Sequence, residues 1–214
     1  MTQAAWQLLA LAAVAAVVDW AAIAGGRVRL EYVAKPLVTF LLVAAALVAG
    51  PGSPEARPWL VLALGASLVG DVFLLPAGSF PLGLLAFLVA QLAYLGAFVN
   101  APGVPLPFAA GLLAAIVLAG TLGREIVRGA PRPLRPPVAV YLAAICTMAI
   151  AASNTGRPIA VAGAWLFVAS DSVLGWDRFA AGAPGSWRAR VVRRLAVMVP
   201  YHVAQGLLLL ALTG

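Results

Sequence analysis

Three aspartates, Asp19, Asp71 and Asp171, occur inside long apolar stretches of this sequence. An ionised carboxylate near the centre of a bilayer costs at least about 2.5 kcal/mol, so these residues are functional candidates. Two carboxylates in one low-dielectric pocket repel each other, which favours one protonated acid beside one ionised base. Such a pair suits acid/base hydrolysis of an ether-like bond. The residues alone leave open a structural role, in which each aspartate caps a helix or binds a polar neighbour.

The composition places these carboxylates in a membrane protein. Hydrophobic residues make up 64% of the 214-residue chain, charged residues make up 10%, and the mean hydropathy is +1.02. This balance excludes a soluble domain with a polar surface. The single cysteine, Cys146, and the single histidine, His202, provide neither a disulfide framework nor a His-rich zinc centre. We therefore expect no metal and no cofactor.

Clusters of Gly, Pro and Arg divide the apolar runs into eight segments, each close to the length that crosses a bilayer. We predict an all-α integral membrane protein, with residues 1–214 forming a single domain of eight transmembrane helices. The apolar N-terminal stretch is too long for the core of a cleaved signal peptide, so we expect it to be retained. The predicted spans are Ala4–Ala24, Val33–Gly50, Pro58–Pro76, Phe80–Asn100, Pro105–Gly123, Pro136–Ser153, Pro158–Trp176 and Val191–Thr213.

The basic residues indicate an orientation. All of the 14 Lys and Arg residues except Arg57 and Arg157 lie in or beside the odd-numbered connections. The positive-inside rule then places these connections in the cytoplasm and both termini outside it, and we expect a multi-pass protein of the bacterial inner membrane. The net charge of +7 belongs to this asymmetry, so it does not indicate nucleic-acid binding. The cluster of Arg188, Arg190, Arg193 and Arg194 fits contact with anionic lipids, with phosphate binding as the alternative.

A weak internal repeat relates the two halves of the chain. Leu68–Val72 resembles Val168–Ser172, and Val89–Gln91 recurs as Val203–Gln205. A parallel duplication of four plus four helices keeps both copies in the same orientation. Asp71 and Asp171 then lie about 6 Å from the midpoints of their spans, both toward the cytoplasm, so they can share one site.

Other polar residues of the spans are candidate substrate contacts, although such residues also hold helices together by hydrogen bonds. These candidates are Lys35, Gln91, Tyr94, Tyr201, His202 and Gln205. Lys35 lies at headgroup depth, where an ammonium can hold a lipid phosphate or simply extend to the interface. Glu31, four residues before Lys35, is placed to form a weak surface pair with it.

Two further arrangements involve these polar residues. Asp19 lies near the cytoplasmic end of the first span, where we expect a structural pair with Arg27, Arg29 or Lys35. A catalytic triad of Ser67, His202 and Asp171 can also be drawn. It lacks the Gly-rich signature that surrounds a nucleophilic serine, which argues against it.

The ordered set of motifs resembles the YhhN family of membrane lysoplasmalogenases, from the second span to the eighth. It consists of Lys35–Leu37, Ser67–Asp71, Phe87–Tyr94, Tyr141 with Met148, Gly163–Asp171 and Tyr201–Gln205. The resemblance implies an eight-helix, metal-independent enzyme that hydrolyses the vinyl ether bond of lysoplasmalogens. Its products are a fatty aldehyde and glycerophospho-ethanolamine or glycerophospho-choline.

The same resemblance maps the family's two acidic positions, regarded as the catalytic pair, onto Asp71 and Asp171. Family members commonly carry His in the fourth span where this chain has Gln91, and the position of His202 is often aromatic. In enol-ether hydrolysis one carboxylic acid protonates the vinyl carbon, and a second carboxylate stabilises the resulting cation and activates water. A lysophospholipid with its phosphate near Lys35 places its ether linkage deeper, toward the aspartates.

Two other classes of function remain open on the sequence. A lipid- or proton-coupled transporter also uses paired intramembrane carboxylates, and duplicated halves would favour it. The sequence shows no pair of obviously broken helices, which weakens this alternative. A structural or assembly subunit, in contact only with membrane lipids and proteins, would not need Asp71 for its role.

Overall fold

The computed structural model of the chain describes residues 1–50, 53–75, 78–101 and 108–214, and in these ranges it contains helices and no strands. Seven of the helices are long and apolar enough to cross a membrane, which confirms an all-α integral membrane fold. The helices are α1 (Gln3–Ala24), α2 (Val28–Val48), α3 (Ala56–Phe73), α4 (Phe80–Val99), α5 (Phe108–Leu118), α6 (Arg124–Gly129), α7 (Arg135–Asn154), α8 (Pro158–Phe179) and α9 (Trp187–Thr213).

The fifth predicted span is a composite helix. After α5 the chain enters a π-helical segment, Ala119–Gly123, and continues directly into α6. Short π segments widen one turn of a helix and often occur near functional sites. The predicted span Pro105–Gly123 begins outside the described residues, as does the predicted end of the third span at Pro76, and the helical path extends beyond Gly123 to Gly129.

Two helices begin earlier than the hydropathy pattern predicts. Helix α2 starts at Val28 instead of Val33, after a turn in which Gly26 has a φ of 65°. Helix α9 starts at Trp187 instead of Val191, and the Ser186 side chain caps it by accepting from the backbone N–H of Ala189 at 3.1 Å. The charged first turns of both helices were excluded from the predicted apolar spans, yet they are helical in the structure.

The helices form a closed bundle in which neighbours along the chain are packed side by side. Helices α1 and α2, α3 and α4, and α8 and α9 form the closest pairs. Helix α9 also contacts α1, α2 and α3, helix α4 contacts α7, and α5 lies against α7. The closest pairs α3–α4 and α8–α9 correspond to each other in the predicted repeat, which remains a prediction. This arrangement brings α2, α3, α8 and α9 around one region.

Candidate active site

A cavity of about 360 Å³, here called the main cavity, lies between α2, α3, α4, α8 and α9 at the end of the bundle that carries the α3–α4 and α8–α9 connections. The two predicted catalytic residues, Asp71 and Asp171, both line it. Within the described ranges, no three His, Cys, Asp or Glu side chains are grouped as ligands for a metal ion. The polar lining consists of Glu31, Lys35, Asp71, Ser170, Asp171, Asp177, Arg178, Arg193, Arg194 and Tyr201.

Asp71 is fully buried and surrounded by donors. Its Oδ2 accepts hydrogen bonds from Thr39 Oγ1 at 2.6 Å and from the Tyr201 hydroxyl at 2.8 Å. Its Oδ1 lies 3.6 Å from Lys35 Nζ and has no hydrogen-bond partner among the described residues. Two hydrogen-bond donors and a nearby ammonium around one carboxylate fit its ionised form. Oδ1 keeps a free acceptor site.

Asp171 has different surroundings. It is half-buried, and among the described residues it takes part in no ion pair. Its Oδ2 accepts a hydrogen bond from the Tyr141 hydroxyl, and that hydroxyl accepts one from Gln91 Nε2 at 3.3 Å. A carboxyl group with one neutral donor and no cation is suited to the protonated form. The two aspartates therefore differ in the way that acid/base catalysis requires.

A second, narrow cavity of about 40 Å³ adjoins the main cavity and lies between α4, α6, α7 and α8. Five residues line both cavities, and Asp171 is the only charged one, so Asp171 lies where a polar cavity meets an apolar one. The shared residues are Leu74, Phe80, Phe87, Asp171 and Leu174. The lining of the second cavity is Leu74, Phe80, Leu84, Phe87, Ile126, Val138, Tyr141, Leu142, Asp171, Leu174, Gly175 and Phe179.

Two buried hydrogen-bond chains support the aspartates. In one chain the Tyr94 hydroxyl donates to Gln205 Oε1, and Gln205 Nε2 donates at 3.2 Å to Tyr201, the donor to Asp71. The other chain runs from Gln91 through Tyr141 to Asp171. Of the predicted substrate contacts, Lys35 and Tyr201 line the main cavity, whereas Gln91, Tyr94 and Gln205 are fully buried behind it. These three residues hold tyrosines in place.

His202 lies on another side of α9. Its Nδ1 accepts a hydrogen bond from Trp20 Nε1 at 3.1 Å, and it lines a third cavity of about 280 Å³ between α1, α2 and α9. Asp171 is bonded to Tyr141, and Ser67 Oγ has no partner in the described part of the chain. The triad of Ser67, His202 and Asp171 is therefore not formed.

The expected pairing of Asp19 is wrong. Both of its carboxylate oxygens are buried, and within the described residues neither has a hydrogen-bond partner. None of the ion pairs of the described residues joins Asp19 to Arg27, Arg29 or Lys35. The rotation of α1 and α2 decides this, because it turns Lys35 toward Asp71 and leaves Asp19 enclosed between helices.

Glu31 and Lys35 also have partners other than each other. Glu31 pairs with Arg194 of α9, and Lys35 pairs with Asp71 of α3. Both α2 side chains are almost fully buried, so the weak surface pair expected from their spacing is replaced by contacts between helices. The ammonium of Lys35 is consequently occupied at the base of the cavity.

Three residues of this site were not among the predicted site residues, although Tyr141 belongs to the family motifs. Thr39 and Tyr141 donate to the two aspartates, and Arg178 lines the main cavity. Thr39 follows Lys35 by four residues and so shares its helix face, which is a signal the sequence contains. The contact of Tyr141 with Asp171 and the place of Arg178 in the cavity become recognisable only when α7 and α8 are placed beside the aspartates.

Comparison with known proteins assigns the chain to a family. A model of the YhhN family matches residues 30–212, a range that includes both aspartates and both hydrogen-bond chains. Lysoplasmalogenase TMEM86B of Homo sapiens is 35% identical over 150 residues, which are 70% of this chain and 61% of the human protein. For the Mus musculus protein of the same name the identity is 36% over 177 residues, 82% of this chain and 70% of the relative.

A bacterial relative gives a similar result. The lysoplasmalogenase of Mycobacterium tuberculosis is 35% identical over 151 residues, 66% of this chain and 58% of its own length. The chain thus spans about three fifths of the human and mycobacterial relatives. No solved structure matches it. With the family match covering all but the first helix and the chain ends, this protein belongs to the YhhN family.

Proposed function

We propose that this protein is a lysoplasmalogenase that hydrolyses the vinyl ether bond of a lysophospholipid. The products are a fatty aldehyde and glycerophospho-ethanolamine or glycerophospho-choline. The observation that carries the proposal is the pair Asp71 and Asp171, which line one cavity with contrasting hydrogen-bond partners. The names of the matched relatives support the same activity.

The two adjoining cavities indicate how the substrate lies. A lysoplasmalogen has a charged phosphoglycerol end and a long apolar chain, joined at the vinyl ether. The main cavity is lined by charged residues, and the second cavity is mostly apolar. Charged groups bind in polar surroundings and apolar chains bind in apolar ones. The headgroup therefore occupies the main cavity, and the start of the chain enters the second cavity. This pose places the vinyl ether beside Asp171, at the junction.

The pose also assigns the acid. An enol ether is protonated at the vinyl carbon remote from oxygen, because the oxygen lone pair then stabilises the cation on the adjacent carbon. The remote carbon lies on the chain side, where Asp171 lines the second cavity. Asp171 therefore donates the proton. Asp71, ionised beside Lys35, stabilises the oxocarbenium ion and holds the attacking water at its free Oδ1.

The protons balance over one turnover. Asp171 transfers its proton to the vinyl carbon, and the electron pair of the double bond forms the new C–H bond. Water adds to the oxocarbenium carbon and gives one proton to Asp71, which produces a hemiacetal. In the collapse, Asp71 returns that proton to the ether oxygen as the C–O bond breaks, and the hemiacetal hydroxyl proton passes to Asp171. Both aspartates are then in their starting forms.

The orientation of the site in the membrane is part of the proposal. The main cavity lies at the end of the bundle with the odd-numbered connections, where most basic residues are found. The positive-inside rule favours the cytoplasmic side for that end, and therefore both termini outside the cytoplasm. In a bacterial inner membrane the enzyme then takes its substrate from the cytoplasmic leaflet.

Aldehyde release by the purified protein in detergent, without any ion gradient, tests the activity. The substrates are a vinyl-ether lysophospholipid and its saturated-ether analogue, and the variants are Asp71→Asn, Asp171→Asn and the exposed control Glu125→Gln. We expect aldehyde from the vinyl ether alone, with kcat reduced at least about 100-fold in both Asp variants and unchanged in the control.

Absence of aldehyde would contradict the proposed activity. If folded wild-type protein, verified by its thermal transition, releases no aldehyde, the hydrolase proposal is wrong. The paired carboxylates would then favour proton-coupled lipid transport, which a gradient-driven flux assay in vesicles measures.

A further inference from the structure

Four cationic side chains line the main cavity, and three of them are already paired with carboxylates. Lys35 Nζ lies 3.6 Å from Asp71, and Arg193 Nη1 lies 2.8 Å from Asp177. Arg194 pairs with Glu31. Among the described residues, the fourth cation has no such partner: Arg178 forms none of the ion pairs.

Arg178 is an exposed residue of the main cavity whose guanidinium packs on an aromatic ring. Its guanidinium carbon lies 5.1 Å from the centroid of the Phe80 ring, and Phe80 lines both cavities. The edge of Phe80 is in turn fixed by Phe179, with 5.4 Å between the ring centroids. A guanidinium stacked on a ring keeps the N–H donors at its edge free for a planar, bidentate anion such as phosphate.

We propose that Arg178 binds the phosphate of the lysophospholipid headgroup. This inference rests on the proposed function and names the residue that recognises the substrate's charge. With Asp171 protonated, the four lining cations face three ionised carboxylates, Glu31, Asp71 and Asp177. One positive charge is left over, and a phosphodiester carries one negative charge.

The spacing along α8 supports the assignment. Arg178 follows Asp171 by seven residues, which is two helical turns on the same face and about 10 Å of rise. In the substrate, five bonds separate the vinyl ether oxygen from phosphorus, an extended distance of about 6 Å. A hydrogen bond of about 3 Å between the guanidinium and a phosphate oxygen adds to this distance. The total is similar to the rise between Asp171 and Arg178.

The assignment also replaces an earlier expectation. The sequence placed the lipid phosphate near Lys35, but the ammonium of Lys35 is engaged by Asp71 at the base of the cavity. Of the arginine cluster, Arg193 and Arg194 line the cavity in ion pairs, and Arg188 and Arg190 are exposed outside it.

Direct binding tests this inference independently of hydrolysis. The probes are a saturated-ether lysophosphatidylethanolamine, which the enzyme cannot cleave, and the corresponding alkylglycerol, which lacks the phosphate. The full chain in detergent is titrated with each by calorimetry, as wild type, Arg178→Gln, Arg178→Lys and the exposed control Arg188→Gln. We expect Arg178→Gln to raise Kd for the phospholipid about 10-fold or more and to leave Kd for the alkylglycerol unchanged.

The other two variants separate the effect of charge from that of the planar guanidinium. Arg178→Lys keeps the charge without the planar fork, so an intermediate Kd is expected, and Arg188→Gln should bind both probes as the wild type does. An unchanged phospholipid Kd in Arg178→Gln, or equal weakening of both probes, would overturn the proposal. Tight binding of inorganic phosphate alone would also overturn it, because the site would then recognise free phosphate. Binding that depends on the headgroup, without aldehyde release, would contradict only the hydrolase activity.

Discussion

Asp71 and Lys35 form an ion pair in a part of the molecule that water hardly reaches. Their side chains are 1% and 9% exposed, so neither charge is screened by bulk solvent. Removing one member of a buried pair leaves the other uncompensated and typically costs about 3–5 kcal/mol. Removing both charges is much less costly.

This asymmetry predicts a double-mutant result. Lys35→Met should lower the free energy of unfolding by about 3–5 kcal/mol, because ionised Asp71 loses its countercharge. The double variant Lys35→Met with Asp71→Asn should recover most of that loss while remaining inactive. Denaturation in detergent measures the first effect and aldehyde release the second. If the losses of unfolding free energy in the two single variants simply add in the double variant, the two side chains are not energetically coupled.

The proposed role of Asp171 predicts an isotope result. Hydrolysis in D₂O should place one deuterium on the aldehyde carbon next to the carbonyl, because the acid delivers its exchangeable proton to that carbon. Mass spectrometry of the trapped aldehyde measures the label, and unlabelled aldehyde incubated with enzyme in D₂O controls for later exchange. Aldehyde formed without deuterium at that carbon would rule out protonation of the vinyl group.

The sequence indicates which residues are unusual but not which residues meet. Asp71 and Asp171 stand out because carboxylates are rare in apolar spans. The partner of Lys35 could not be predicted, because a helix can present Lys35 to several neighbours and only its rotation in the bundle selects Asp71. A spacing of four residues shows that Glu31 can reach Lys35, yet contacts between helices are stronger.

At the scale of helices, α3 and α4 approach each other closely beside the main cavity. A Cβ atom at Gly70 would lie 2.6 Å from the Phe87 ring, and Phe87 lines both cavities. A Cβ atom at Gly65, on the same helix, would meet nothing within 4 Å. Small residues of this kind let membrane helices pack tightly.

This contact predicts a matched pair of variants. Gly70→Ala should reduce stability by about 1–3 kcal/mol, through overpacking, and should lower kcat/KM, because the Phe87 ring has to move into the cavity. Gly65→Ala should retain stability and activity. Melting temperature and aldehyde release are measured for both. Equal behaviour of the two variants would mean that the α3–α4 contact tolerates a methyl group.

Helix positions were predictable and helix ends were not. The apolar runs predicted where the spans lie, because about 20 apolar residues are needed to cross a bilayer. The charged first turns of α2 and α9 were excluded by the same criterion, although the first turn of α2 supplies Glu31 to the cavity. The π-helical segment Ala119–Gly123 has no signature in hydropathy, since it changes the winding of a helix and leaves its polarity the same.

The whole molecule has a polar cavity at one end, and the charge distribution predicts which side of the membrane that end faces. Asn100 and Arg188 are both exposed, on connections at opposite ends of the bundle, and the only cysteine of the chain, Cys146, is buried. In intact cells, a membrane-impermeant maleimide should label Asn100→Cys but should label Arg188→Cys only after permeabilisation. Wild-type protein is the unlabelled control. The reverse pattern would invert the proposed orientation.

Composition and charge were sufficient to predict the class of the molecule, which is an all-α multi-pass membrane protein. Few folds satisfy the backbone hydrogen bonds in lipid. The cavities were not predictable from that class. They depend on which side chains α2, α3, α4, α8 and α9 bring together, which follows from packing among many residues.

The junction of the two cavities at Asp171 has a consequence for the fate of the products. In the proposed reaction, cleavage there separates a molecule that is soluble only in the bilayer from one that is soluble only in water. We expect the glycerophosphodiester to leave from the charged main cavity into the aqueous phase, whereas the aldehyde stays among the helices or enters the surrounding lipid. We therefore expect turnover to slow as aldehyde accumulates in the membrane and to be insensitive to the soluble product, so aldehyde-consuming reactions set the sustained rate.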